Sequence, residues 1–145
     1  MKNQQTKSLT DSQLWEIVGD LQIGNRVFYN KITGEIKSLI DLDSHGYVLD
    51  EIVDEWNELE AKREDYIEIL NMDSTTAFSL MEDFVEEIED TKIKNGLSNA
   101  LNQRKPFASF KREVENSEEY RENWFKFRDQ KMKIFVSEQV KKSEY

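Results

Sequence analysis

A chain of 145 residues with 37% hydrophobic and 11% aromatic residues can bury one modest core and is too apolar to remain unfolded. It has no cysteine, which excludes disulfides and thiolate metal sites, and no apolar run approaches the ~20 residues that a membrane-spanning helix needs. The net charge of −10 argues against indiscriminate nucleic-acid binding by the whole surface.

The first nine residues are polar and are expected to form a frayed tail. Thr10 or Asp11 can cap a helix whose apolar face is Leu14, Trp15, Ile17, Val18 and Leu21, and Gly24-Asn25 can end it. Val27–Asn30 and Glu35–Ile40 alternate as strands around Lys31-Ile32-Thr33-Gly34. A loop of this length with glycine late in it predicts a β-hairpin, with Gly34 supplying a positive φ where a side chain would clash. After a polar break at residues 41–46, Leu49, Ile52, Val53, Trp56 and Leu59 predict a helix over about 47–62. Tyr66–Leu70 follows as a third strand, so this helix crosses over from the second strand to the third.

From Ser74 onward the pattern is helical. Ser74 can cap a helix with the stripe Phe78, Met81, Phe84, Val85 and Ile88. Asp90 or Thr91 starts another, carrying Ile93, Leu97, Ala100 and Leu101. Pro106 fits the first turn of a helix, where a missing N–H costs nothing, and Phe107, Phe110 and Val114 are expected on its inner face. The last helix is expected over about 117–141. It has one ridge of Tyr120, Trp124, Phe127, Ile134 and Phe135 and a second of Phe125, Met132 and Val136. An arc that wide implies either deep embedding or use in an interface. The fold class is therefore α+β: a small, mostly antiparallel three-stranded sheet packed with five or six helices, in one domain over residues 1–145.

Charge is unevenly spread. Residues 1–90 carry 7 basic and 22 acidic side chains, whereas residues 91–145 carry 13 and 8. Such asymmetry can mark an interaction surface, or it can reflect basic and acidic helices packed together.

Few motifs point to chemistry. Asp41-x-Asp43-x-His45-Gly46 resembles the opening of a calcium loop, but position 12 is Ile52 where a bidentate Glu is needed, so a turn with a helix cap accounts for it better. His45 is the one histidine and has no cysteine or evident serine partner for nucleophilic catalysis. The acidic runs Asp50, Glu51, Asp54, Glu55 and Glu86, Glu87, Glu89, Asp90 face away from the apolar stripes, as solvated faces do, and so do not converge as a two-metal site requires. Lys131 interrupts an apolar stripe and is expected to snorkel. Arg104, Lys105, Lys111 and Arg112 flank Phe107 and Phe110. Basic residues interleaved with aromatics can grip a nucleic-acid strand, though the 107/110/114 spacing is that of a core face.

Three stretches taken in order add a resemblance: FYNKITGEI (28–36); FVEEIED (84–90) with ALNQRKPFASFK (100–111); and WFKFRD (124–129). Together they resemble a bacterial uncharacterised protein family, the one numbered one-five-eight, over most of the chain. The chain departs from the family pattern at Asn30, Lys105-Pro106 and Ala108-Ser109, the last two replacing basic residues beside Phe107 and Phe110. The resemblance implies a compact bacterial cytoplasmic protein and carries over no catalytic residue.

Three functions are weighed: a protein-interaction or regulatory module, a nucleic-acid-associated protein using the basic C-terminal helices, and a metal-dependent enzyme using clustered carboxylates. The first is preferred, because no catalytic constellation stands out. The candidate interaction residues are Arg104, Lys105, Lys111, Arg112, Trp124 and Arg128. No metal, cofactor or membrane contact is expected, and the partner is expected to be another protein in the cytoplasm.

Overall fold

A computed structural model describes residues 9–42 and 49–143. They divide into two compact units: one runs up to Asn71 and resumes at Lys133, the other is Met72–Met132.

The first unit opens with α1 (Asp11–Gln22). Thr10 caps it through a reciprocal pair of bonds: its hydroxyl accepts from the Gln13 N–H, and the Gln13 side chain accepts from the Thr10 N–H. The helix ends as the glycine predicts. Gly24 has φ +92, its N–H donates to the Leu21 carbonyl, and the Asn25 N–H donates to Asp20, which satisfies two terminal acceptors. Ile17, Val18 and Leu21 are buried, but Trp15, expected on the same face, is 45% exposed and lies under the Lys133 ammonium, 4.6 Å from its ring centre. Lys133 also donates to Asp11 at 2.6 Å. Its side chain is only 12% exposed, whereas Lys131 is exposed with its ammonium over Phe127.

Strands β1 (Arg26–Asn30), β2 (Ile36–Leu39) and β3 (Tyr66–Ile69) pair antiparallel throughout in the order β2-β1-β3. The central position of β1 explains why it does not show the expected alternation: Val27, Phe28, Tyr29 and Asn30 are all buried, because both its faces are covered. Asn30 closes the hairpin. Its Oδ1 accepts from the Ile32 and Thr33 N–H groups, and its backbone bonds to Gly34 and Glu35. Gly34 has φ +81, yet a Cβ there would meet no atom within 4 Å. The constraint at Gly34 is therefore the left-handed backbone alone, and the expected clash with surroundings is absent.

Helix α2 (Asp50–Ala61) begins a turn later than the periodicity suggests. It lays Trp56 and Leu59 on the sheet face bearing Phe28, Leu39 and Tyr66, whereas Leu49 and Val53 stay exposed. The Trp56 ring meets Phe28 edge-on at 5.6 Å, and its indole N–H donates to the Ile40 carbonyl. On the same face Arg26 forms a forked pair with Glu68, at 2.8 and 2.9 Å, and lies 4.9 Å over the Trp56 ring. Beyond β3, the Gln139 carboxamide both donates to and accepts from the Leu70 backbone at 2.8 Å.

The second unit is helical: α3 (Ser74–Glu86), α4 (Thr91–Leu101), α5 (Pro106–Glu115) and the first part of α6 (Glu118–Lys142). Asp73, one residue before the expected Ser74, caps α3 by accepting from the Thr76 N–H, and Asp90 caps α4 by accepting from Lys92 and Ile93. A carboxylate outcompetes the adjacent hydroxyl because it also meets the positive end of the helix. The core contains Met81, Phe84, Val85, Ile88, Leu97, Phe110 and Val114. Phe84, Phe110, Trp124 and Phe127 form an aromatic network with ring centres 5.0–6.5 Å apart. Among the described residues, no helix is long and apolar enough to cross a membrane.

Candidate interaction groove

Helices α5 and α6 follow one another across a short turn, and each turns a mixed face toward the space between them. On α5 the positions 107, 111 and 115 are four apart and therefore share a face, so Phe107, Lys111 and Glu115 form one bank. On α6, Trp124, Phe125 and Arg128 form the other, with Met81, Phe110 and Val114 beneath. Together they enclose a groove of about 230 Å³. Phe110 is 1% exposed and belongs to the floor, but Phe107, expected on the buried face, is 44% exposed. It stands at the first turn of α5, where its ring meets Phe78 edge-on with centres 6.4 Å apart.

The bank on α6 is cationic over an aromatic ring. Arg121 and Arg128 lie 5.4 and 5.0 Å from the Phe125 centre, so two guanidinium groups engage that ring. Arg128 also bonds to Asp129 at 3.1 Å. Sequence reasoning placed Phe125 on the second apolar ridge of the last helix but not among the interaction candidates. The signal that could have found it is a phenylalanine with arginines four before and three after it on one helix.

The six sequence candidates separate accordingly. Lys111, Trp124 and Arg128 come together in the groove. Arg104 and Lys105 are exposed just before α5, and Arg112 is exposed on its last turns, outside the groove lining. Across 91–112 the chain has six basic residues and no acidic one. Lys105 occupies the cap position of α5 without a side-chain cap, and the first turn holds no acidic residue, so the positive end of that helix is not neutralised locally.

A second hollow in the same unit, about 490 Å³, lies among α4, α5 and the start of α6 and is lined by polar groups including Asp90, Glu113, Ser117 and Tyr120. The Glu113 carboxylate lies over Gly96, where an added Cβ would sit 2.9 Å from its oxygen. Partial burial pushes the Tyr120 hydroxyl above its ordinary pKa, and Glu119, Asp90 and Glu89 push in the same direction. The two acidic runs are exposed, and among the described residues no three His, Cys, Asp or Glu side chains are placed to hold a metal ion. Asp43 and His45 of the calcium-like run lie outside the described residues.

The fold and groove thus define a small α+β protein with an aromatic, cation-edged cleft. It belongs to the uncharacterised protein family UPF0158, whose model matches residues 13–145. It is 31% identical over 75 residues to a UPF0158 protein of Pseudomonas aeruginosa. The match covers 52% of this chain and 49% of that protein, so it spans about half the length of the relative. No solved structure matches the chain.

Proposed function

We propose that the chain is a protein-interaction module with no catalytic chemistry of its own, and that it meets its partner at the α5–α6 groove. The observation that carries this reading is the half-exposed Phe107 facing Trp124 and Phe125 across a cleft edged by Lys111 and Arg128. Aromatic residues and arginine dominate the energetics of protein interfaces, because they bury large areas at low entropic cost while arginine stays paired. The test is co-purification from the native host with the wild-type chain and with Phe107→Ala and Phe125→Ala. Loss of a stoichiometric partner from both folded variants supports the reading. Identical recovery from all three removes the groove from consideration.

A second reading, nucleic-acid association, draws on one observation. Phe107 is accessible beside Arg104, Lys105 and Lys111, a combination suited to phosphate contacts with a base stacked on the ring. Its test is titration with labelled single- and double-stranded oligonucleotides at two salt concentrations. A variant with Arg104, Lys105, Lys111 and Arg112 changed to glutamine runs beside it. Binding that weakens with salt and vanishes in the variant favours this reading over the first.

A further inference from the structure

We infer that the groove is built for an acidic segment of a partner protein, one that inserts a large apolar side chain between flanking carboxylates. The inference rests on the interaction-module reading and adds the chemistry of the ligand. Three features of the groove converge on it.

Size comes first. At about 230 Å³ the groove is smaller than the ~300–1,000 Å³ of sites for small molecules and cofactors, so it suits one or two side chains of a longer ligand. Its apolar surface supplies the anchor position: the exposed Phe107 on one bank, Trp124 and Phe125 on the other.

Charge comes second, and it is graded along the groove. Phe107 is the second residue of α5, so the groove's Phe107 end borders the uncapped first turn of that helix and the exposed Arg104 and Lys105. Lys111 follows one turn on, and only at the far end, two turns from Phe107, does Glu115 introduce a negative group. On the opposite bank Arg128 is shared with Asp129, but Arg121 adds a second guanidinium against Phe125. A ligand with carboxylates beside its anchor would meet cations on both banks and the positive end of a helix dipole. A basic ligand would meet repulsion at the same places.

Third, the cations are pre-positioned. Arg121 and Arg128 are held over the Phe125 ring, which reduces the rotamer freedom lost when a carboxylate docks.

The test is fluorescence anisotropy with labelled peptides of about twelve residues, long enough to lie along two helices. One peptide carries glutamates around a leucine and a phenylalanine. Its control has lysine in place of every glutamate, and a labelled oligothymidylate is the third probe. The acidic peptide is expected to bind, to lose about tenfold in affinity between roughly 50 and 300 mM salt, and to lose about tenfold again with Lys111→Gln plus Arg128→Gln. Unchanged circular dichroism and melting temperature would show that the variant is folded. The inference is overturned if the acidic peptide binds no better than the lysine peptide, if the folded double variant binds equally well, or if only the oligothymidylate binds. Should the acidic peptide fail while a host protein is still lost from Phe107→Ala and Phe125→Ala, the module stands and its assigned ligand chemistry falls. If both fail, the module reading falls with it.

Discussion

Around the sheet, the buried aromatic rings are held chiefly by cations and hydrogen bonds, whereas in the core of Met72–Met132 they pack chiefly on one another. Arg26 and Arg63 both lie over the Phe28 ring, Trp56 lies under Arg26 and donates to Ile40, and Tyr66 donates to Glu35. In the helical unit, Phe84 meets Phe110, Trp124 and Phe127 directly. The reason is architectural. A strand sets its neighbours in fixed register, so an arginine on β1 can be aimed at a carboxylate on β3, and such directed bonds specify pairing. Helices joined by short turns approach with less geometric constraint, and bulky rings fill the irregular space between them. The sheet unit should therefore be sensitive to charge and backbone geometry, and the helical unit to volume.

The largest effect is expected where volume matters most. Phe84→Ala removes the ring at the centre of the aromatic network and should cost about 3–5 kcal/mol in urea unfolding, with loss of near-ultraviolet circular dichroism. A cost under about 1 kcal/mol would show that the helical core can collapse around the gap. Arg26→Met comes next. It strips Glu68 of a forked partner and Trp56 and Phe28 of a cation. Because Arg26 is 40% exposed, screening limits the effect to about 1–2 kcal/mol, and the deficit should shrink in about 1 M salt. An undiminished deficit would mean that the arginine stem packs more than its charge pairs. Gly34→Ala should cost about 1 kcal/mol through its φ alone, and Gly34→Asn less, since no neighbour blocks either side chain. Equal melting temperatures for all three chains would contradict a backbone cause.

The smallest effects are those of pH, and both fall in the helical unit. The Thr76 backbone N–H and then its hydroxyl hold the Asp73 carboxyl below its ordinary pKa. Its contribution is present at neutral pH and is lost as pH falls below about 4 through the depressed folded value. Asp73→Asn should flatten that acid limb. Tyr120 is displaced upward, so its contribution holds below about pH 10 and is lost as pH rises through the raised folded value, and Tyr120→Phe should abolish that alkaline loss. Thermal melts across pH would read both.

Local signals carried much of this fold into the sequence. Thr10, Gly24, Gly34 and Pro106 each act within a turn of themselves, so their roles were legible without knowledge of tertiary structure. The same holds for the antiparallel sheet and the helical second half. Periodicity, however, gives a face and not its limits: Trp15 and Phe107 lie on apolar stripes yet reach past the packed region, whereas Leu80 is buried without having been singled out. The groove was half legible. Lys111, Trp124 and Arg128 stood out as basic or aromatic residues in a basic segment, but their convergence depends on how α5 and α6 face each other, which no local spacing encodes.

The bond pair between Gln139 and Leu70 has a consequence for the protein in a crowded solution. A primary carboxamide sets an N–H donor beside a carbonyl acceptor, much as a peptide unit does, so Gln139 stands where the next strand's backbone would engage the chain just beyond β3. A helix side chain thereby occupies a position from which neighbouring molecules could otherwise add strands end upon end. Gln139 thus covers the backbone donor and acceptor of Leu70 at that corner of the sheet, and Gln139→Ala would leave both open to a foreign strand.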